Sequence, residues 1–203
     1  MTTMSADYFD QMYAAADDPW GFTTRWYEKR KYALTLAMLP QERYASALEL
    51  GCSIGVLTEQ LASRCDRLLS CDVASAAVRA AARRVTDRPE VSVEQRAVPA
   101  DWPAGEFDLI VASEFLYYFG GDTLQEVLGL CRAALRPGGT LLAVHWRHPV
   151  AEYPRSGDSV HQALAAQPGL ARLAEHREPD FVAEAYQRSD GPAVSVAQAT
   201  GLA

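Results

Sequence analysis

From residue 45 onward, short apolar runs alternate with helical patterns, and this alternation limits the folds open to the chain more than any other feature. Ala45–Leu50 is an apolar run that ends in Gly51, and Val56–Ala62 has helical spacing. Arg67–Cys71 reads as a strand ending at Asp72, and Ser75 caps an Ala-rich helix to about Val85. Val91–Gln95 alternates with period two, as a half-buried strand should. Phe107–Ala112 is an apolar strand, Asp122 caps a helix through Leu135 that stops at Pro137-Gly138-Gly139, and Thr140–His145 is a fifth strand. Strand–helix units in series imply a parallel sheet with helices on both faces, because each helix must return the chain to lay the next strand beside the last. Asp158–Ala166 has a helical pattern, and Leu170–Glu178 and Phe181–Arg188 read as a late antiparallel hairpin. The expected class is α/β.

The first forty residues lie outside this series and are rich in aromatics. Ser5 can cap a helix carrying Tyr8, Phe9, Met12 and Tyr13, and Asp17–Gly21 reads as a turn. Thr23 or Thr24 can cap a second helix to about Leu39, with Pro40 beyond its end. The expected organisation is one domain over 1–188, with 1–40 as a helical lid, 45–146 as the core and 189–203 as a flexible tail. A chain of 203 residues, 49% hydrophobic, can bury a core for one such domain. Its net charge of -7 repels phosphate backbones, so no nucleic-acid partner is expected. Cys52, Cys65, Cys71 and Cys131 form no C-x-x-C, so no metal is expected. Residues 1–10 lack a cleavable signal, and no apolar run reaches the roughly 20 residues that span a bilayer. A cytoplasmic protein without a membrane partner is expected.

The main chemical signal is Glu49-Leu-Gly-Cys-Ser-Ile-Gly55 at a strand-to-helix turn. Gly51 and Gly55 let backbone and ligand approach closely. Asp72, with Val73 after it, follows Gly51 by 21 residues and can accept both hydroxyls of a ribose. A dinucleotide fingerprint would place Gly where Ser53 stands, and Ser53 crowds a pyrophosphate. Glu49 is an awkward neighbour for a diphosphate and suits a cationic cofactor. S-adenosyl-L-methionine carries a sulfonium, an ammonium and a ribose, and no phosphate.

These residues resemble the seven-stranded, Rossmann-like S-adenosylmethionine-dependent methyltransferases. Glu49–Gly55 looks like their first motif, Asp72 like their acidic ribose position, Phe107–Ser113 like their fourth strand and Arg136–Thr140 like the turn before their fifth. A narrower resemblance joins Tyr8-Phe9, Tyr13, Asp18-Pro-Trp20, Trp26-Tyr-Glu28, Arg30–Leu34, Gly51–Gly55, Ser113–Tyr118, His145-Trp-Arg147 and Gly157–His161. Together they are similar to the nodulation protein S (NodS-like) methyltransferases. That resemblance implies N-methylation of a deacetylated amino sugar as the small-molecule acceptor.

The remaining candidates follow from position. Ala97, Val98 and Trp102, after the third strand, could line the adenine, and the Ser113 carbonyl could take the cofactor's ammonium. Tyr8, Tyr13 and Trp20 could offer aromatic faces to a sulfonium, with Tyr8 and Trp20 read as cofactor contacts. Glu114 and His145 end the fourth and fifth strands, where ligands gather in parallel sheets, and are read as catalytic: Glu114 to hold an amine, His145 to take its proton. Tyr117, Tyr118, Arg147 and His161 are read as acceptor contacts. The alternatives are an O-methyltransferase or, from another class, a nicotinamide-dependent oxidoreductase.

Overall fold

The computed structural model describes residues 2–203. Its central sheet contains β1 (Ala47–Leu50), β2 (Leu68–Asp72), β3 (Val91–Gln95), β4 (Phe107–Ser113), β5 (Leu135–Trp146), β6 (Leu170–Arg177) and β7 (Phe181–Arg188). The strand order is β3-β2-β1-β4-β5-β7-β6. The first five strands run parallel, and β7 enters antiparallel between β5 and β6. The helices are α1 (Ala6–Ala15), α2 (Trp26–Ala37), α3 (Val56–Ala62), α4 (Ser75–Arg84), α5 (Gly121–Ala134), α6 (Gly157–Ala165) and the one-turn α7 (Val196–Ala199).

Alternation along the strands divides the core into two layers. Leu48, Leu50, Ile110, Ala112, Leu141 and Ala143 pack on one face against Leu124, Leu128 and Cys131 of α5 and Val160 and Leu164 of α6. Ala47, Leu109, Val111, Leu142 and Val144 pack on the other with Leu57 and Leu61 of α3 and Tyr32 of α2. Period-two side-chain direction puts consecutive residues on opposite faces, so helices can cover both.

The N-terminal segment roofs the carboxyl ends of the parallel strands. The Met4 N–H donates to the Tyr118 carbonyl at 2.9 Å, and the Gly120 N–H donates to Thr3 Oγ1 at 3.0 Å. Phe9 packs edge-on against Tyr118, and Tyr13 joins Ile54, Ala74 and Ala77 in a small apolar cluster. Asp18 shapes the turn before α2 by accepting the Phe22 and Thr23 N–H groups and the Thr23 hydroxyl.

Most boundaries move by one or two residues, and three differences have a structural cause or consequence. β5 begins at Leu135, and Arg136–Gly139 forms an irregularity within it, where the pairing with β4 shifts register. Helix α2 starts at Trp26 without a side-chain cap, because the hydroxyl and N–H of Thr23 are engaged by Asp18. Residues 195–198 close a capping box that starts α7 in the segment read as a tail. No helix among the described residues is long and apolar enough to cross a membrane.

Candidate active site

A cavity of about 580 Å³ opens at the carboxyl ends of β1, β2 and β4, under the N-terminal segment. Its floor is the turn after β1. Gly51 takes φ +71°, and a Cβ there would stand 2.5 Å from the Phe115 ring. Ser53 holds φ +51°, uncommon for a residue with a side chain. Two contacts fix it: its N–H donates to Asp72 Oδ2 at 2.9 Å, and its Oγ lies 2.5 Å from the Tyr13 hydroxyl. Asp72 also accepts the Ala74 N–H at 2.9 Å. Burial raises the Asp72 carboxyl above its ordinary value against the pull of these N–H groups.

Glu49 lies on β1 with its side chain almost wholly enclosed. The Thr58 and Ser70 hydroxyls donate to its Oε2 at 2.6 and 2.7 Å. Burial pushes its carboxyl up to about 7, with the nearby Asp72 adding to the rise and the two hydroxyls opposing it.

Across the cavity, Glu114 follows β4 with φ +54°. A backbone held in that region stores strain, and the surroundings of Glu114 over-determine it. Its N–H donates to the Val144 carbonyl at 2.7 Å, Lys31 Nζ donates to its Oε1 at 2.7 Å, and its Oε2 accepts the Trp146 N–H at 3.0 Å and the Tyr117 hydroxyl. Lys31 is only 2% exposed, and its Nζ also donates to Glu28 Oε1 at 3.3 Å. Burial works against the Lys31 charge, but Glu114 and Glu28 outweigh it and raise its pKa. Glu28 has risen too, chiefly through burial, with Lys31 opposing and Glu114 adding to the rise.

Most of the residues singled out in the sequence line this one cavity: Tyr8, Trp20, Glu49, Gly51, Ser53 and Asp72, then Val73, Ala97, Val98 and Ser113, and Glu114, Tyr117 and Tyr118. Four do not, and Trp102 also lies outside, packed against the core. Gly55 serves helix packing: it takes φ +79°, and a Cβ on it would meet Ala81 at 2.9 Å. His145 is fully buried on the α6 side of the sheet, with the same parity as Leu141 and Ala143. Its Nε2 accepts the Leu116 N–H at 3.1 Å, which leaves Nδ1–H to donate to His161 Nε2 at 3.1 Å. His161 Nδ1 then donates to Glu184 Oε2 at 2.5 Å. Burial holds His145 well below the ordinary imidazole value, so it is neutral with both nitrogens engaged. It pins the loop behind Glu114 and does not face the cavity. His161 belongs to the same buried chain. Arg147 pairs with Asp158 at 2.9 Å and donates to the Glu178 carbonyl, joining β5 to α6 and the hairpin.

The sequence reading missed Glu28 and Lys31, which stand on α2 rather than at a strand end. Their signal was the Trp26–Arg30–Leu34 stretch itself, where charged residues fall at positions that helical spacing turns inward.

The strand order, with five parallel strands and an antiparallel seventh, is one this chain shares with methyltransferase structures. A candidate methyltransferase from Pseudomonas syringae is 45% identical, with a TM-score of 0.73, over 81% of this chain and all of that one. The N-methyltransferase NodS of Bradyrhizobium japonicum WM9, in complex with S-adenosyl-L-homocysteine, superposes with a TM-score of 0.81 over 91% of this chain and 99% of that one, at 23% identity. The family model of nodulation protein S (NodS) matches residues 6–152, and the chain belongs to that family. Nodulation protein S of Rhizobium tropici is 37% identical over 130 residues, 63% of this chain and 55% of that protein. The chain spans about half the length of the curated relatives it matches.

Proposed function

We propose that this chain transfers a methyl group from S-adenosylmethionine to the nitrogen of a small amine. One observation carries the reading: a single cavity presents Asp72 and Glu49 toward β2 and β1, and Glu28 and Glu114 on the side of β4 and α2, with the Gly51 backbone between. The donor set fits a cationic nucleoside and not a diphosphate. Arg96, the lining cation on the Asp72 side, is paired with Glu94 and Asp101 and is not free to hold a phosphate. When bound, the cofactor supplies an electrophilic methyl carbon beside its sulfonium.

The chain's own residues then bind, orient and exclude water. Asp72 keeps a second lone pair on each oxygen for ribose hydroxyls. Glu49 in its ionised form favours a cation nearby. Tyr8, Tyr13 and Trp20 cover the cavity and keep water from the reacting atoms, which raises the value of alignment. Glu114, its oxygens tied to Lys31, Tyr117 and the Trp146 N–H, offers the remaining lone pair of Oε1 to an acceptor N–H. The amine is supported by the N-methyltransferase named in the Bradyrhizobium japonicum structure, and an amino sugar is the finer reading. The test is incubation with S-adenosylmethionine and either D-glucosamine, deacetylated chitooligosaccharides or simple alcohols, with products fragmented by mass spectrometry. One added methyl on nitrogen is expected. Methylation confined to oxygen overturns the amine assignment, and no methylated product from any acceptor overturns the proposed acceptor class.

A further inference from the structure

We propose that Glu28 takes the acceptor's proton, the role that the sequence reading gives to His145. The assignment rests on the amine reading above. It starts from an orphaned atom: Glu28 Oε2 is buried and has no hydrogen-bond partner, in a residue that is only 6% exposed and lines the cavity. Lys31 Nζ approaches Oε2 to 3.0 Å as an ion pair, without hydrogen-bond geometry, and donates instead to Oε1. A carboxylate oxygen that accepts no hydrogen bond at such a depth is costly unless a ligand satisfies it.

The other candidate bases in or near the cavity are already committed. Asp72 accepts two backbone N–H groups, and Glu49 holds two hydroxyls inside β1 and α3. Glu114 already accepts from Lys31, Tyr117 and the Trp146 N–H, so both of its oxygens are engaged. His145 is turned away under α6 with both nitrogens used. Glu28 differs from all four in having an oxygen that accepts no hydrogen bond, with the Lys31 ammonium as its ion-pair neighbour, on the same side of the cavity as Glu114. The charged groups around it are Lys31 from α2, Arg25 just before α2 and Glu114 from the loop after β4. Burial and Glu114 together raise its proton affinity against Lys31 and Arg25, the direction a proton acceptor needs at neutral pH.

The step balances as follows. The acceptor enters as an ammonium between Glu114 and Glu28. One N–H proton moves to Glu28 Oε2, and the N–H bonding pair becomes the nitrogen lone pair. That pair forms the N–C bond to the methyl carbon as the C–S bond breaks, with its electrons left on sulfur. The sulfonium becomes a neutral thioether, and the product leaves as a methylated ammonium. Glu28 returns its proton to solvent as the cavity opens.

The test compares wild type, Glu28→Gln and Glu28→Asp, with D-glucosamine, ethanolamine and n-butylamine as acceptors, across pH 6–9.5. S-adenosylhomocysteine binding is measured by calorimetry in parallel. Removing a general base costs about 10²–10⁴-fold in rate, and that loss is expected in Glu28→Gln with cofactor affinity unchanged. The pH profile carries the discrimination. In wild type the rate rises below the amine's own pKa, whereas in Glu28→Gln it rises in proportion to hydroxide until the amine itself loses its proton. Glu28→Asp is expected to recover part of the rate and the wild-type profile. A Glu28 that merely neutralises Lys31 would lower stability and leave the profile unchanged, and that result overturns the assignment. If Glu28→Gln does not fold, Glu28→Asp alone carries the comparison: turnover below wild type with cofactor affinity unchanged is expected, and wild-type turnover overturns the assignment. Cofactor binding without methylation of any of the three amines overturns the amine reading and this assignment together. Absence of cofactor binding overturns the proposed function itself.

Discussion

Lys31 Nζ stands 2.7 Å from Glu114 Oε1, and this contact ties helix α2 to the end of strand β4 across 83 positions of sequence. Both side chains are largely withdrawn from water, at 3% and 14% exposure. A charge pair in such a place owes its stability to completeness, because either partner left alone remains a buried charge. Lys31→Met is therefore expected to cost roughly 3–5 kcal/mol in urea unfolding. The loss should be larger at pH 8 than at pH 5, because burial raises the Glu28 carboxyl and lets it shed its charge by taking up a proton as pH falls. Adding Glu114→Gln to Lys31→Met should recover part of it. A Lys31→Met protein as stable as wild type at both pH values would show that the pair does not organise the site.

The raised carboxyl of Glu49 gives ligand binding a pH dependence with a definite sign. In the free protein the folded state holds a proton on Glu49 between its ordinary range and about 7, so this group lowers stability as pH rises through that window. A cationic ligand favours the ionised form. Affinity for S-adenosylhomocysteine, whose ammonium remains charged, should rise with pH up to about 7 and then level off. Glu49→Gln should flatten the curve. Calorimetry from pH 5.5 to 8.5 checks this, and an identical slope in the variant would remove Glu49 from cofactor binding.

His145 yields the opposite sign. Its pKa is depressed in the fold, so its contribution is complete above about 6.5 and is lost as pH falls. His145→Asn should be less stable than wild type at pH 7.5, with the difference narrowing toward pH 5. Its turnover should fall with displacement of the loop that carries Glu114 and Tyr117, without a change in the form of the pH–rate profile. A profile that loses a titrating limb in His145→Asn would restore it as the proton acceptor.

Gly55 separates packing from binding. Gly55→Val forces a branched side chain into φ +79° and against Ala81. Overpacking of this kind typically costs about 1–3 kcal/mol, and the positive φ adds to it. Where the variant folds, its affinity for S-adenosylhomocysteine should stay near wild type, because Gly55 does not line the cavity. A selective loss of cofactor affinity at full stability would return Gly55 to the binding site.

The parallel core was legible because its signals are local. The strands read from short apolar runs or, at Val91–Gln95, from period-two alternation, and the Val56–Ala62 helix and the Phe181–Arg188 strand stand at their expected bounds. The floor of the cavity was legible for a related reason: Gly51, Ser53 and Asp72 sit at strand ends, where topology alone brings them together. His145 was misplaced because ending near a strand's carboxyl terminus does not decide which face a side chain takes. Parity with Leu141 and Ala143 does decide it, and places His145 under α6. Glu28 and Lys31 share the helical spacing of the buried Tyr32 and Thr35, but that spacing alone does not say which face of α2 docks; the contact with the end of β4 decides it. Arg147 and His161 were read from position as acceptor contacts, whereas Asp158 and Glu184 hold them in the frame outside the cavity.

The central claim is that this cavity takes a cationic nucleoside through Asp72, and calorimetric titration of wild type and Asp72→Ala with S-adenosylhomocysteine and with NAD tests it most directly. Each charge-assisted hydrogen bond lost is worth roughly 1.5–3 kcal/mol, so Asp72→Ala should bind S-adenosylhomocysteine at least about tenfold more weakly, and NAD should not bind wild type measurably. Equal affinity in a folded Asp72→Ala, or saturable binding of NAD in preference to S-adenosylhomocysteine, would contradict the account.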